Sequence, residues 1–400
     1  MKEKIEKLDY DGRGIAFIDG KITFVPKTLP EEMVELEIIE ENKKYNIAKA
    51  NVLSSSAKRI ESKCLYFDHC GGCQFHHVKA EDELLIKKSS IQEQFERNLN
   101  YDEEIKVISN QLLWYRNKIS LKVLDAKFGY YEERSHDFVE IKECLIVKDT
   151  INHLIKDLTF FKINSGYIII RSNYNNEILV IIESEDKVTL NEDFLKKHRV
   201  IGVLQNNKLI YGQSFYYERL NGVIYKVSYN SFFQINLEIA SKLFDYVNKL
   251  VKPNLRIIDL YCGAGTIGLQ LAKNAKEIVG VEIVKNAVIN GINNAKINKI
   301  NNIKFSLGNV SDVFKKIKGN FDLIVVDPPR AGLDKGTVKT ILQRKTKELI
   351  YISCNPKTLI RDLKELTSIY KIKEVQCFDM FFRTANLETV VLLELKLNFS

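Results

Sequence analysis

From residue 229 onward, apolar runs that suit β-strands alternate with stretches that suit helices, and this pattern constrains the fold more than any other. The strand-like runs include LRIIDLY, EIVGVEI, FDLIVVD and ELIYISC, and the helical stretches include IGLQLAK and VKNAVINGINNAK. Alternating strands and helices form a parallel sheet with helices on both faces. The sequence therefore predicts an α/β domain with a doubly wound parallel sheet over residues 229–400.

The earlier part of the chain has a different pattern. Residues 1–57 contain short apolar runs broken by glycine and proline, which predicts a small OB-like β-barrel, a fold that often binds oligonucleotides. Residues 58–228 hold a cysteine cluster, a helix from about Asp82 to Asn98 and several strand-like runs, which predicts a mostly β central domain. Because 400 residues exceed what one hydrophobic core usually serves, we expect three domains with these boundaries.

Charge and cysteine content narrow the class of protein. Lys and Arg outnumber Asp and Glu by 60 to 52, a surplus that permits a polyanionic partner without requiring one. No apolar run is long enough for a membrane helix, and the charged first residues lack the apolar core of a secretory signal, so we expect a cytoplasmic protein. In that compartment, an odd count of seven cysteines favours metal binding or catalysis over a disulfide framework.

A glycine-rich loop, DLYCGAGTIG at residues 259–268, closes the first strand of the α/β region and opens a helix. It satisfies the G-x-G-x-x-G pattern, and Glu282 ends the next strand about twenty residues on, where a dinucleotide site keeps its ribose-binding acid. A nicotinamide-dependent oxidoreductase is therefore one interpretation. Asp259, however, would repel a pyrophosphate and would favour the ammonium and sulfonium of S-adenosylmethionine, which indicates a methyltransferase instead.

Two further loops follow predicted strands. DPPRAG at residues 327–332 and SCNP at residues 353–356 are expected at the same edge of the sheet as the glycine loop. Cys354 precedes a predicted helix, whose dipole should lower the thiol pKa and make this residue a nucleophile, although a small buried residue is the alternative. Glu388 begins the last strand, where an isolated acid usually lies at a solvated edge.

Taken in order, DLYCGAGT, DPPRAG, SCNPKTLIRD and DMF…LETV resemble the RNA (uracil-5-)-methyltransferases that use S-adenosylmethionine. The resemblance implies a Rossmann-like methyltransferase domain preceded by an OB-like (TRAM) barrel. It assigns Cys354 the attack on C6 of uracil, which turns C5 into a nucleophile for the methyl group. It assigns Glu388 the removal of the C5 proton before the thiolate leaves.

The same resemblance implies a set of residues that line the S-adenosylmethionine pocket. These are Gln234, Tyr261, Thr266, Glu282, Asn309 and Asp327. Two departures from the family pattern stand out: Thr266 replaces a frequent Asn, and FRTAN at residues 382–386 replaces a stretch closer to P-H-T-P-H. The second departure lies immediately before Glu388.

A second set of cysteines points to a metal centre. Cys64, Cys70 and Cys73 lie close together in the sequence and Cys144 lies far downstream, and four thiolates suit zinc or an iron–sulfur cluster. Three nearby histidines, His69, His76 and His77, leave a mixed zinc site open, and a Cys70–Cys73 redox pair lacks the strand–helix unit that such a motif needs. The ribosomal members of the resembled family carry a [4Fe-4S] cluster on this spacing, so the resemblance implies that cluster.

These expectations combine into one function. We expect a monomeric enzyme that methylates C5 of a uridine in 23S ribosomal RNA, with S-adenosylmethionine and a [4Fe-4S] cluster as cofactors. The alternatives are a tRNA uracil-5-methyltransferase, a nicotinamide-dependent oxidoreductase with a structural metal, and a non-catalytic RNA-binding protein. YRNK at residues 115–118 is either a phosphate-binding stretch or a solvated turn, and the sequence does not identify the target uridine.

Overall fold

The computed structural model describes residues 1–132 and 137–397. The chain begins with a six-stranded sheet of order β1-β5-β6-β4-β3-β2, in which β4 and β6 are parallel and the other pairs are antiparallel. Its small core consists of alternate strand residues such as Val34 and Leu36. The strands are β1 (Lys2–Lys4), β2 (Lys7–Leu8), β3 (Gly14–Ile18), β4 (Lys21–Val25), β5 (Met33–Glu41) and β6 (Tyr45–Ser54).

A long helix and a short strand follow the cysteine-rich loop, and a second sheet comes after them. The helix is α1 (Ala80–Leu99) and the strand is β7 (Lys106–Ile108). The second sheet has seven strands in the order β10-β9-β8-β11-β12-β13-β14, all antiparallel except the pair β12–β13. Its elements are β8 (Lys118–Leu124), β9 (Lys127–Tyr131), β10 (Phe138–Glu140), α2 (Asp149–Ile155), a 3₁₀ turn (Leu158–Phe161), β11 (Ser165–Ser172), β12 (Ile178–Glu183), α3 (Glu192–Lys197), β13 (Val200–Gln205) and β14 (Lys208–Gly212).

A hairpin leads into the third sheet, which has eight strands in the order β19-β18-β17-β20-β21-β23-β22-β7. The five strands from β19 to β21 are parallel, and β23 is antiparallel to both of its neighbours. The hairpin and the third region consist of β15 (Phe215–Leu220), β16 (Val223–Ser228), α4 (Leu237–Leu250), β17 (Leu255–Leu260), α5 (Thr266–Leu271), β18 (Ala275–Glu282), α6 (Lys285–Ile297), β19 (Ile303–Leu307), α7 (Val310–Lys316), β20 (Leu323–Val326), α8 (Lys335–Arg344), β21 (Glu348–Ser353), α9 (Pro356–Leu366), β22 (Tyr370–Phe378) and β23 (Glu388–Leu395).

The third sheet is covered on both faces, as a doubly wound sheet requires. Ile257 and Val325 contribute to the core on one face, whereas their neighbours Ile258 and Ile324 contribute to the core on the other. The strand order reverses beside β17, and ligands of such sheets bind at the carboxyl ends of the strands near this reversal.

Two elements from the first half of the chain belong to this third layer. Strand β7 pairs in parallel with β22, and Ile91 and Phe95 of α1 lie in the same core as Leu359 and Leu363 of α9. Both elements fall within the predicted central domain, residues 58–228, and the three-domain division stays a prediction. Among the described residues, no helix is long and apolar enough to cross a membrane.

Candidate active site

Three of the loops singled out in the sequence meet at one edge of the third sheet. Strands β17, β20 and β21 are adjacent and parallel, so the loops that follow them leave the sheet on the same side. These loops carry Tyr261, Asp327 and Cys354 respectively. The position of this edge beside the reversal in strand order makes it the candidate active site.

Cys354 and Glu388 face each other across the antiparallel pair β21–β23. Ser353, the last residue of β21, pairs with Thr389 of β23. Because the strands are antiparallel, Cys354, which follows Ser353, lies opposite Glu388, which precedes Thr389. Cys354 is half-buried, and Glu388 is 8% exposed. An acid that looked like an edge residue in the sequence is thus buried beside the candidate nucleophile.

The predicted low pKa of Cys354 is wrong. Burial, and after it the charge of Glu388, raise the pKa of this thiol to about 11, although the Arg330 guanidinium opposes the increase. Cys354 does stand at a helix start, because Asn355 caps α9 by accepting a hydrogen bond from Lys357 N. The helix dipole is outweighed because the thiol is desolvated and lies next to an acid.

The carboxyl groups at this edge are held toward their neutral forms. Burial and the neighbouring charge of Asp327 raise the pKa of Glu388, and burial raises that of Asp327. Burial, Asp327 and Glu282 together raise the pKa of Asp259 to about 8. Several acids that share a desolvated site are expected to behave in this way, and a bound cation would favour their ionised forms.

The glycine loop leaves open space beside these acids, and one carboxylate oxygen of Asp259 has no hydrogen-bond partner among the described residues. Asp259 is fully buried; its Oδ2 accepts a hydrogen bond of 3.0 Å from Gly268 N, and its Oδ1 has no partner among the described residues. Glu282 accepts hydrogen bonds from Gly263 N at 3.0 Å and from Val284 N at 2.8 Å. A Cβ built on Gly263 would meet no atom within 4 Å.

The other residues expected in the pocket lie on loops and helix starts of the same region. Tyr261 follows β17 with a left-handed φ of +63°, and its hydroxyl donates to Asp334 Oδ2 at 2.9 Å. Thr266 begins α5, and exposed Asn309 caps α7 by accepting from Asp312 N. The carbonyl of Gln234 accepts a hydrogen bond of 3.0 Å from Asn117 Nδ2.

Two residues that were not predicted from the sequence join the DPPRAG loop to the helix that follows SCNP. Arg361 donates to the Ala331 carbonyl at 2.9 Å, and Asp362 accepts from Leu333 N at 2.8 Å and from the Tyr351 hydroxyl at 2.7 Å. Both lie on α9, so they hold the DPPRAG loop against the helix that follows Cys354. The motif SCNPKTLIRD contains both residues, but its spacing alone does not show which loop they contact.

The four predicted metal-ligating cysteines line a single cavity of about 270 Å³ in the second region. Within residues 1–132 and 137–397, however, no three His, Cys, Asp or Glu side chains are grouped so that they could hold a metal ion. His76 also lines this cavity, and burial lowers its pKa to about 4, which keeps it neutral. Cys64, Cys70, Cys73 and Cys144 all have raised pKa values, chiefly because of burial.

Backbone N–H groups point at three of these sulfurs. Tyr66, Gly72 and Ile146, each two residues after a cysteine, donate to Cys64, Cys70 and Cys144 and lower the thiol pKa values against the effect of burial. Such donors stabilise the thiolate, which is the form that binds metal. These donors therefore favour the thiolate forms of Cys64, Cys70 and Cys144, against the effect of burial.

Comparisons with known proteins agree with this geometry. Residues 81–396 match the family described as tRNA (Uracil-5-)-methyltransferase, and residues 4–51 match the TRAM domain. An uncharacterized RNA methyltransferase of Halalkalibacterium halodurans is 33% identical over 98% of this chain and 96% of its own length. Another, from Staphylococcus aureus, is 31% identical over 97% of this chain and 96% of its own length.

One solved structure matches nearly the whole chain. It is the crystal structure of the Pyrococcus abyssi tRNA (uracil-54, C5)-methyltransferase in complex with S-adenosyl-L-homocysteine. The alignment covers 98% of this chain and 100% of that one, with a TM-score of 0.81 and 27% sequence identity.

Proposed function

The chain belongs to the tRNA (uracil-5-)-methyltransferase family, and we propose that it methylates C5 of a uridine in 23S ribosomal RNA. Family membership confirms the predicted Rossmann-like methyltransferase fold with a TRAM domain and the use of S-adenosylmethionine on RNA. It excludes the nicotinamide-dependent and non-catalytic alternatives. The observation that carries the proposed mechanism is the placement of Cys354 opposite Glu388.

In the first step, the Cys354 thiolate forms a bond from sulfur to C6 of the uracil. The electron pair of the C5–C6 double bond moves to give an enolate, and C5 becomes a nucleophile. Arg330 supports this step, because its guanidinium lowers the pKa of the thiol. C5 then attacks the sulfonium methyl group of S-adenosylmethionine, and S-adenosylhomocysteine leaves.

In the second step, Glu388 takes the proton from the methylated C5. The electron pair of that C–H bond restores the C5–C6 double bond, and the bond between C6 and the sulfur breaks. Burial favours this role, because the raised pKa of Glu388 makes its ionised form a stronger base than a solvated carboxylate. Cys354 leaves as a thiolate and is ready for another uridine.

We assign the cofactor pocket to the residues that the family resemblance identified, namely Gln234, Tyr261, Thr266, Glu282, Asn309 and Asp327. The open space beside Gly263 and the unpartnered Oδ1 of Asp259 support this assignment. Acids at this edge suit a ligand with a positive sulfonium and a positive ammonium group, and Glu282 suits ribose hydroxyls.

A group of basic side chains, in which Lys118 and Arg116 are half-buried and Arg171 is 6% exposed, supports RNA as the substrate. Lys118 and Arg171 are directly opposite each other on the antiparallel strands β8 and β11. Arg116, two residues before Lys118, is close enough for its charge to act on Lys118. Like charges at such positions repel, and burial together with Arg171 and Arg116 lowers the pKa of Lys118 to about 8. We propose that an RNA phosphate lies between them, as in other basic RNA-binding surfaces.

We propose ribosomal RNA as the substrate in preference to transfer RNA. This proposal rests on the four cysteines that line one cavity, since the resemblance linked that spacing to the ribosomal branch. The Pyrococcus abyssi relative acts on tRNA, which keeps transfer RNA as the second candidate. We propose that the enzyme acts on either substrate in the cytoplasm.

We propose that Cys64, Cys70, Cys73 and Cys144 hold a [4Fe-4S] cluster. A single tetrahedral zinc ion would draw four sulfurs to within ~3.8 Å of each other, given a Zn–S distance of about 2.3 Å. The cavity of about 270 Å³ suits a larger group. When bound, such a cluster would join Cys144 to the earlier cysteine loop. Purified protein with about four iron atoms and four sulfides per chain would support this assignment, and one zinc ion per chain would overturn it.

Methyl transfer tests the function directly. Labelled S-adenosylmethionine is incubated with unmodified 23S RNA and with tRNA, and each RNA is digested to nucleosides. Label in 5-methyluridine from ribosomal RNA alone supports the proposal, and label from tRNA alone overturns the substrate but keeps the chemistry.

Two variants test the roles of the reacting residues. Cys354→Ala should abolish the product while leaving the affinity for S-adenosylmethionine unchanged, and retained turnover would rule out Cys354 as the nucleophile. Glu388→Gln should trap the covalent RNA adduct, because the C5 proton then has no acceptor.

A further inference from the structure

The loop between β22 and β23, residues 379–387, immediately precedes Glu388 and is bound by elements from the first half of the chain. Asp379 accepts hydrogen bonds of 2.8 Å from both Lys87 Nζ and Ser109 Oγ. Lys87 also donates to the Phe381 carbonyl at 3.4 Å, and the Tyr115 hydroxyl donates to the Phe382 carbonyl at 3.0 Å.

Arg383 is the centre of this loop. Its backbone N–H donates to Glu83 Oε1 at 2.7 Å, and its Nη1 donates to Glu83 Oε2 at 3.1 Å. The same Nη1 donates to the carbonyls of Phe75 at 3.0 Å and Val78 at 2.7 Å. Arg383 also has a φ of +71°, a left-handed conformation that a non-glycine side chain disfavours.

The segment that follows Cys73 binds the other side of Arg383. The N–H groups of Gln74 and Phe75 both donate to the Arg383 carbonyl, at 2.9 Å and 3.1 Å. The side chain of Gln74 accepts from Ala385 N at 3.2 Å, only three residues before Glu388. The cysteine loop, defined here as residues 64–75, is therefore in direct contact with the loop that carries the proposed base.

The charges in this contact are almost completely buried. Glu83, Lys87 and Asp379 are 0%, 2% and 1% exposed, and Lys87 Nζ lies 2.7 Å from Glu83 and 2.8 Å from Asp379. Buried ion networks add little net stability over an apolar core, but they define one arrangement of the chain. Strained backbone conformations occur at functional sites where the surroundings hold them in place.

We propose that Arg383 is a positioning residue for Glu388 and that the cysteine loop, through Arg383, controls how fast the covalent adduct is resolved. The inference rests on the proposed role of Glu388. Cys354 depends on a different set of contacts, because the DPPRAG loop and α9 hold its surroundings. Loss of the Arg383 contacts should therefore slow proton removal and leave adduct formation intact.

The departure of residues 382–386 from the family pattern fits this role. Arg383 makes its contacts with Nη1, while its Nε has no partner among the described residues and its guanidinium lies 4.4 Å from the Phe382 ring centre. A lysine would keep the charge, but its Nζ ends one bond nearer the backbone than Nη1, and it lacks the planar guanidinium that lies over the Phe382 ring. Arg383→Lys is therefore the informative substitution.

Single-turnover reactions separate the two steps. Enzyme, labelled S-adenosylmethionine and unmodified RNA are mixed, and samples are run on a denaturing gel that resolves the covalent adduct from free methylated RNA. We expect Arg383→Lys and Gln74→Ala to form the adduct at the wild-type rate and to resolve it roughly 10- to 100-fold more slowly. The affinity for S-adenosylmethionine should not change.

Gln74→Ala keeps the test valid if Arg383→Lys does not fold, because Gln74 is uncharged and half-buried. Arg344→Lys is the matched control. Arg344 also binds backbone carbonyls, at Phe314, Ile317 and Gly319, but it is the last residue of α8 and lies outside the loop that precedes Glu388. The control should resolve the adduct at the wild-type rate.

Two results would overturn the proposal. One is adduct resolution at the wild-type rate in both variants; the other is an equal loss of adduct formation, resolution and cofactor affinity, which indicates a merely structural role. The Glu388→Gln variant, measured in the same experiment, distinguishes a failure of the Arg383 proposal from a failure of the proposed function. If that variant accumulates no adduct, Glu388 is not the base, whatever Arg383 does.

Discussion

The side-chain amide of Asn355 donates a hydrogen bond of 2.9 Å to the backbone carbonyl of Arg330. The bond joins the residue that follows Cys354 to the DPPRAG loop, and Thr358 Oγ1 donates to the same carbonyl at 3.1 Å. These contacts hold the backbone of Arg330 next to the candidate nucleophile. The guanidinium of Arg330 is the group that lowers the pKa of Cys354 against burial and Glu388.

The reactivity of Cys354 should depend strongly on pH. With a thiol pKa of about 11, only the small thiolate fraction reacts at neutral pH. We expect the rate of alkylation by iodoacetamide, followed by mass spectrometry of the Cys354 peptide, to rise roughly tenfold per pH unit from pH 7 to pH 10. Arg330→Met should slow this labelling and Arg344→Met should not. A plateau below pH 9 would contradict the raised pKa.

The affinity for S-adenosylmethionine should increase with pH. Asp259 has a pKa of about 8, far above that of a solvated carboxyl, so it is largely protonated at pH 6 to 7. A cationic ligand favours the ionised carboxylate, so binding should release protons in this range, and calorimetry in two buffers of different ionisation enthalpy measures them. Asp259→Asn should reduce the release. S-adenosylhomocysteine, which lacks the sulfonium charge, should release fewer protons.

The raised pKa of Asp259 also affects the stability of the fold, which should decrease as the pH rises, whereas cofactor affinity increases. Because folding raises the pKa of Asp259, the native state binds more protons than the unfolded state. The contribution of this group to the free energy of unfolding therefore falls as the pH rises from about 4 to about 8. Asp259→Asn should reduce that fall, and an unchanged pH profile of urea midpoints would contradict the assignment.

Much of the candidate site could be predicted because its residues lie next to predictable strand ends. The runs before Asp259, Asp327 and Cys354 are apolar strands, and the carboxyl ends of parallel strands share an edge. The direction of the Cys354 pKa shift could not be predicted, since it depends on burial and then on the charge of Glu388, which begins a strand 35 residues after β21 ends. Local sequence does not report such long-range contacts.

In the first half of the chain too, local elements could be predicted from the sequence, whereas long-range contacts could not. The helix predicted from about Asp82 to Asn98 is observed at Ala80–Leu99, since its amphipathic pattern is local. The pairing of β7 with β22 and the bonds from Arg383 to Phe75 and Val78 join positions about 270 to 308 residues apart. Spacing within a motif carries no information about partners at that distance.

RNA binding should lose part of its salt dependence when Lys118 is replaced. If Lys118 contacts one phosphate of a single strand, Lys118→Met should reduce the slope of log affinity against log salt by about 0.7. Affinity for S-adenosylmethionine should stay the same. Lys304→Met is the matched control, because Lys304 is a 75% exposed cation near the amino end of β19. Equal slopes for wild type and Lys118→Met would mean that no phosphate binds there.

Gly332→Ala should disrupt the DPPRAG loop. The φ of Gly332 is +76°, and a Cβ there would lie 2.6 Å from both Arg361 Nη2 and Asp362 Oδ2 and 2.9 Å from Thr358 Cβ. These are the side chains that hold the loop on α9, so either they or the loop must shift to make room for the methyl group. We expect lower methyl transfer and a loss of about 2–4 kcal/mol in the free energy of unfolding, measured by urea denaturation.

Gly20→Ala separates the two causes of that loss. Gly20 has the same φ of +76°, but a Cβ there would meet no atom within 4 Å, so this variant reports the conformational strain alone. It should lose about 1–2 kcal/mol of stability and keep wild-type methyl transfer. If Gly332→Ala matches Gly20→Ala in both stability and activity, the collision with Arg361 and Asp362 is relieved without moving the loop. In that case the contacts from α9 to the DPPRAG loop would not be needed to position Arg330 beside Cys354.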